Sequence, residues 1–108
     1  YVKVFYRSTE KYTTNIVYKS LNPIWDEKCS FFVDDLTKPI SFDLFDYDRI
    51  GRDEPMGSTK LDLEQIPLDT NYSIILELNN EKRSDGKIGS IQISLMISEK
   101  TSDGRDEV

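Results

Sequence analysis

The chain has no histidine and one cysteine among its 108 residues. Without imidazole, the usual general base is gone, and with it most serine or cysteine triads and the usual zinc sites. Nothing else supplies a nucleophile paired with a base, so an enzyme is not expected. A lone cysteine, Cys29, excludes an internal disulfide. It sits in an alternating apolar stretch, which predicts a small buried hydrophobe and favours a reducing, intracellular setting. No apolar run approaches the roughly 18–20 residues that span a bilayer, and the first residues lack the form of a secretion signal. Helical periodicity of normal length is absent too. Basic residues are outnumbered 14 to 20 by acidic ones, for a formal charge of −6, which makes nucleic acid a poor partner. That balance also opposes an anionic membrane, unless local basic groups or a bound cation reverse the field at the contact.

What is present is period-two alternation, repeated. At this length the chain is one domain with one core. YVKVFY (Tyr1 to Tyr6) puts Val2, Val4 and Tyr6 on one face, and begins at full strength, which leads to the expectation of a missing earlier strand. YTTNIVYK (Tyr12 to Lys19) is rich in aromatic and β-branched residues, as strands are. The Asn22-Pro23 pair starts a structured loop anchored by Trp25. Lys28 to Val33 directs Cys29, Phe31 and Val33 inward, and ISFDLFD directs Ile40, Phe42 and Leu44 inward. Gly57 to Leu63, then Ile74, Leu76 and Leu78, then Ile91, Ile93, Leu95 and Ile97 continue the pattern. Seven strands are predicted over residues 1–98, with residues 99–108 a polar tail or linker.

Seven alternating strands joined by short turns specify an all-β fold, an antiparallel β-sandwich. If successive strands reverse, the loops Ser20 to Glu27, Asp46 to Gly57 and Asn79 to Lys87 emerge at one end. The turns near Ser8, Thr37 and Pro67 lie at the other.

The second of those loops, within FDYDRIGRDEPMG, concentrates the chemistry. Asp46, Asp48, Asp53 and Glu54 place four carboxylates in nine residues. Like charges held this close repel, so the loop calls for a cation or a raised pKa. Hard oxygen donors in irregular geometry suit Ca²⁺, whereas transition metals prefer the imidazole or thiolate that the loop lacks. A solvated acidic turn is the bland alternative, since aspartate is common in loops. An EF-hand reading fails: its twelfth position is Gly57 and strands flank the loop.

Together, YVKV, KSLNPIWDEK, FDYD and the following MG pair resemble a C2 domain nearly end to end. VYKSLNPIWDEK, PMGSTKLDLEQI and IGSIQISLMI are most similar to the C2 domains of multiple C2 and transmembrane domain proteins. The resemblance implies an eight-strand sandwich, its first strand and first loop absent here, whose loops at one end bind calcium and then an anionic phospholipid. By position, Asp46 and Asp48 match the paired ligands and Glu54 the third, where aspartate is usual, with Asp53 an adjacent substitute. Ile50 occupies the membrane-inserting position, flanked by Arg49 and Arg52 facing lipid phosphates. Lys82, Arg83 and Lys87 on the next loop are further candidates for anionic lipid. A monomeric calcium-dependent docking module follows, at the cytoplasmic face of an intracellular membrane, endoplasmic reticulum or vesicle, within an anchored trafficking or signalling protein. Glu54 and Pro55 depart from the pattern, which keeps open a calcium-independent protein-interaction domain with a degenerate site.

Overall fold

The computed structural model describes residues 1–17, 24–48, 50–79, 87–100 and 105–107. These form an antiparallel β-sandwich with no helix among the described residues. The strands are β1 (Val2–Tyr6), β2 (Thr9–Thr13), β3 (Phe32–Val33), β4 (Ile40–Asp46), β5 (Glu54–Leu61), β6 (Tyr72–Asn79), β7 (Lys87–Leu95), β8 (Ser98–Lys100) and β9 (Arg105–Glu107). One six-stranded sheet runs β2-β1-β4-β5-β6-β7, and a three-stranded sheet runs β3-β9-β8.

Alternation explains why these segments pair. In β1, Val2, Val4 and Tyr6 are buried, and in β4, Ile40, Phe42 and Leu44 are buried. The two strands align Val2 with Leu44, Val4 with Phe42 and Tyr6 with Ile40. Apolar side chains therefore meet directly across the ladder, where cross-strand pairs contribute most. Leu61, Leu63, Ile66 and Leu78 extend the core, and Val33 and Ile97 enter the same cluster from outside the large sheet. The half-buried faces of β6 and β7 complete it with Ile74, Leu76, Ile91, Ile93 and Leu95. An open cleft of about 1890 Å³ runs along the inner face of the six-stranded sheet, lined by Val4, Phe42, Leu44, Trp25, Ile91 and Ile93 among others.

Several boundaries differ from those read in the sequence. The second strand runs Thr9–Thr13 instead of starting at Tyr12. Arg7 and Ser8, at φ 51° and 66°, make a two-residue turn that pairs Tyr6 with Thr9 at once. Both central residues left-handed is the twist that closes a short hairpin, here without glycine. The stretch Lys28 to Val33 yields strand only at Phe32–Val33, and Cys29 is exposed instead of buried. Among the described residues Cys29 has no ladder partner to enforce its facing, whereas Phe31 and Val33, nearer the paired segment, do turn to the core. β5 starts three residues earlier than expected, at Glu54, because its ladder with β4 continues through a bulge. Residues 98–100 and 105–107, polar and unpatterned, also have strand backbone. They pair with each other, and β9 pairs with β3.

The ends of the sheet sort as the reversal of strands requires. The Asp46 to Glu54 loop lies at the end where β6 finishes at Asn79 and β7 begins at Lys87. Tyr6 to Thr9, Val33 to Ile40 and Leu61 to Tyr72 connect at the other. There Arg7 Nη1 donates to both oxygens of Asp34, at 3.0 and 3.1 Å, and Tyr6 Oη donates to Asp34 Oδ1 at 2.6 Å.

Candidate functional site

The acidic loop is built on the last residue of β4 and the first of β5. Asp46 lies directly opposite Glu54 in the ladder, and Phe45 opposite Pro55. The register then slips, so that Leu44 faces Gly57 and Met56 is the extra residue. A bulge increases twist and bends its strand, and bulges often flank functional loops. Its consequence here is that two exposed carboxylates share one cross-strand position. Like charges directly opposite destabilise a sheet.

Within the loop, Asp48 Oδ1 accepts the Ile50 N–H at 2.9 Å, a local turn that fixes its carboxylate beside the chain. Gly51 follows at φ +99°, a conformation that side-chain-bearing residues rarely adopt. Ile50, at the tip, is 86% exposed. Arg52 is exposed beside it, while Arg49 lies outside the described residues.

Asp53 behaves differently from its neighbours. Its Oδ1 accepts the Asp48 main-chain N–H at 3.0 Å, and its Oδ2 accepts the Tyr1 hydroxyl in a very short hydrogen bond. Tyr1 is itself held: its N donates to Phe45 O and Phe45 N donates to Tyr1 O, each at 2.9 Å. Its ring stacks on Phe45 with centroids 5.4 Å apart, and Lys3 Nζ lies 5.5 Å from the Phe45 centroid. Tyr1 is a contributor that sequence reading missed, because its partner is 52 residues away and no local pattern announces the pair.

These bonds set the titration of the pair. The N–H of Asp48, then the Tyr1 hydroxyl, hold the Asp53 carboxyl below its ordinary 3.8. The carboxylate in turn pushes the Tyr1 phenol up to about 12, the hydrogen bond being the largest cause. A depressed carboxyl contributes stability above its unfolded value that is lost as pH falls through the folded one. A raised phenol contributes stability below about 10 that is lost as pH rises through about 12. Asp34 and Asp35 are depressed as well, by Tyr6 with Arg7 and by Thr37 respectively. Acid titration of the fold is therefore expected to show stability flat above about pH 4 and falling below it. In Asp53→Asn the acid-side loss should shrink, and phenol absorbance should titrate at lower pH than in the parent. An unchanged absorbance curve would contradict the Tyr1 bond.

Of the carboxylates singled out in the sequence, the structure thus brings Asp46 and Glu54 together across the ladder and ties Asp53 to the backbone of Asp48. Among the described residues, no three carboxylate or thiol side chains gather closely enough to hold a metal ion. Lys82, Arg83 and the Asn22-Pro23 pair lie outside the described residues. Ile24, beside that pair, is 82% exposed, and Trp25 is half-buried.

Comparison with known proteins places this architecture. The chain is 36% identical over 106 residues to multiple C2 and transmembrane domain-containing protein 1 of Homo sapiens, covering 98% of this chain and 11% of that protein. It is 35% identical over 98 residues to the multiple C2 and transmembrane domain-containing protein of Drosophila melanogaster, covering 90% of this chain and 11% of that one. A calcium-dependent lipid-binding protein of Arabidopsis thaliana is 34% identical over 80 residues, 73% of this chain and 15% of that protein. The chain therefore spans about a tenth of the length of the first two relatives. No solved structure matches. The sequence model of the C2 domain matches residues 1–78, which contain β1 to β5, most of β6 and the whole acidic loop, and the chain belongs to the C2 domain family.

Proposed function

We propose that this C2 domain is a calcium-dependent phospholipid-docking module. The observation that carries the reading is the Asp46–Glu54 pair, two exposed carboxylates facing each other at the end of a ladder with an apolar tip, Ile50, projecting from the same loop. The donor chemistry fits calcium: hard oxygens on a loop with tolerant geometry. Asp46, Asp48 and Glu54 would hold the ion, which would supply positive charge at the loop and open coordination for a lipid phosphate. The protein's own part is to carry Asp46 and Glu54 on fixed strand ends and Asp48 in the loop between them, to present Ile50 to the acyl boundary and to set Arg52 against headgroups. Each favourable charge near an anionic surface contributes roughly 1 kcal/mol. Neutralising the acidic loop thus turns repulsion into attraction with few contacts, and salt should weaken it. The name of the Arabidopsis relative supports this reading for the family. By likeness to the multiple C2 and transmembrane domain proteins, the whole protein is read as membrane-anchored, with this module at the cytoplasmic face and without catalytic activity.

Calcium titration by calorimetry, paired with sedimentation of phosphatidylserine vesicles in calcium or chelator, tests the reading. Wild-type protein should release or absorb heat and sediment only with calcium. Ile50→Ser should keep the calcium heat while vesicle affinity falls about tenfold, the equivalent of about 1.4 kcal/mol of lost apolar burial. A silent titration would sink the proposal. It would favour a calcium-independent interaction domain, the reading that the missing three-ligand cluster among the described residues and the Pro55 departure support.

A further inference from the structure

We propose that Asp53 is a positioning residue, a clamp that fastens the acidic loop to the strand before it, and not a cation ligand. The inference rests on the calcium reading for its functional consequence and on hydrogen bonding for its structural content. Both carboxylate oxygens of Asp53 are occupied: Oδ1 by the Asp48 N–H at 3.0 Å and Oδ2 by the Tyr1 hydroxyl. The two donors belong to different parts of the chain. Asp48 is inside the loop, whereas Tyr1 sits at the mouth of β1, paired through two main-chain bonds with Phe45 and stacked on its ring.

The consequence is geometric. Asp48 carries a candidate ligand on its side chain and is gripped by its main-chain nitrogen, so the clamp sets where that side chain starts. Its Oδ1 bond to the Ile50 N–H then sets where the apolar tip starts. Tyr1, Asp53, Asp48 and Ile50 form one chain of contacts from the edge of β1 to the loop tip. Asp53 is also less exposed than Asp46, Asp48 or Glu54, consistent with a side chain turned toward the protein. A ligand's oxygens must be free to face an ion, and Asp46 and Glu54, both exposed, share one cross-strand position at the loop's base. The loop's four acids therefore divide by role: three for a cation and one for the frame.

The clamp is read directly by amide exchange of Asp48 in chelator, with no calcium involved. Tyr1→Phe, which keeps the ring and its stacking, and Asp53→Ala should each speed exchange at Asp48 at least tenfold, with β4 amides unchanged. Asp53→Asn retains a carbonyl oxygen for the Asp48 N–H and places its amide nitrogen where it can donate to the Tyr1 hydroxyl oxygen. Both contacts of the clamp persist, so the rate should remain near wild type. In calorimetry, Tyr1→Phe and Asp53→Ala should weaken calcium severalfold at unchanged stoichiometry, and Asp53→Asn should stay within about threefold of wild type, a gap of about 0.6 kcal/mol. Wild-type exchange rates at Asp48 in both Tyr1→Phe and Asp53→Ala would overturn the clamp. So would an Asp53→Asn variant that loses calcium as fully as Asp53→Ala, which marks a ligand. If the wild type binds no calcium, the docking reading fails, and the exchange rates in chelator still decide the clamp.

Discussion

Ile40→Ala is expected to lower the unfolding free energy by about 2–5 kcal/mol, read from the midpoint of urea denaturation at unchanged slope. Ile40 is 2% exposed and, among the described residues, is the one core residue that the ladder sets between a buried partner on each side, Tyr6 of β1 and Leu61 of β5. Truncation removes transfer free energy and leaves a cavity that these two cannot fill, since strand registers hold both in place. For a domain near 100 residues, each kcal/mol lowers the melting temperature by about 4–8 °C, so the effect is visible by either method. Ile75→Ala is the control. Ile75 is 66% exposed on the outer face of β6, and its loss should stay within about 0.5 kcal/mol. If Ile40→Ala behaved like Ile75→Ala, the central position of β4 in the core would be wrong.

That position was legible because β4 states its facing twice. Ile40, Phe42 and Leu44 alternate with Ser41 and Asp43, and both neighbouring strands alternate in register with it. The same redundancy made β1, β6 and β7 readable, and it placed the acidic loop at one end of the sandwich. In the stretch before β3 the alternation holds at Phe31 and Val33, which pack in or against the core, and fails at Cys29. Cys29 alternates with Phe31 and Val33, yet among the described residues only Phe32–Val33 of this stretch join a ladder, so its predicted burial had none to enforce it. β8 and β9 are the converse case: polar residues with no facing signal, held by backbone bonds that any sequence can make. The hairpin at Arg7 and Ser8 was misplaced because glycine or asparagine normally marks left-handed turns and neither is present.

The candidate site divides along the same line. Asp46, Asp48 and Glu54 were found by spacing, which is a local property. The bulge at Met56 was not, although it decides that Asp46 faces Glu54 and not Pro55. The Tyr1–Asp53 bond was not either, because it joins two strand ends distant in sequence and contiguous only after β1 and β4 have paired. Proximity in the chain revealed which residues are acidic together; tertiary pairing assigned them different partners.

That assignment gives the second large effect, in which one substitution acts with opposite sign in two conditions. Asp46→Asn removes one of two like charges that oppose each other at the ladder's end. In chelator the variant should be equal to or more stable than wild type, by about 0.2–1 kcal/mol, the scale of a cross-strand pair. In calcium the order should reverse. A ligand that binds only the folded state at a hundred times its Kd stabilises it by about 2.7 kcal/mol, and the variant, short of one carboxylate, should gain almost none of this. Glu64→Gln removes the same charge from an exposed position at the opposite end of the sheet and should keep the full calcium gain, which separates the loop from net charge. The crossing of the two stability orders is the decisive feature. Acidic repulsion without a cation site would give the chelator result alone, and a solvated turn would give neither. A variant less stable than wild type even in chelator would show that Asp46 and Glu54 are not in conflict at rest, and the case for a cation between these strands would lose its structural basis.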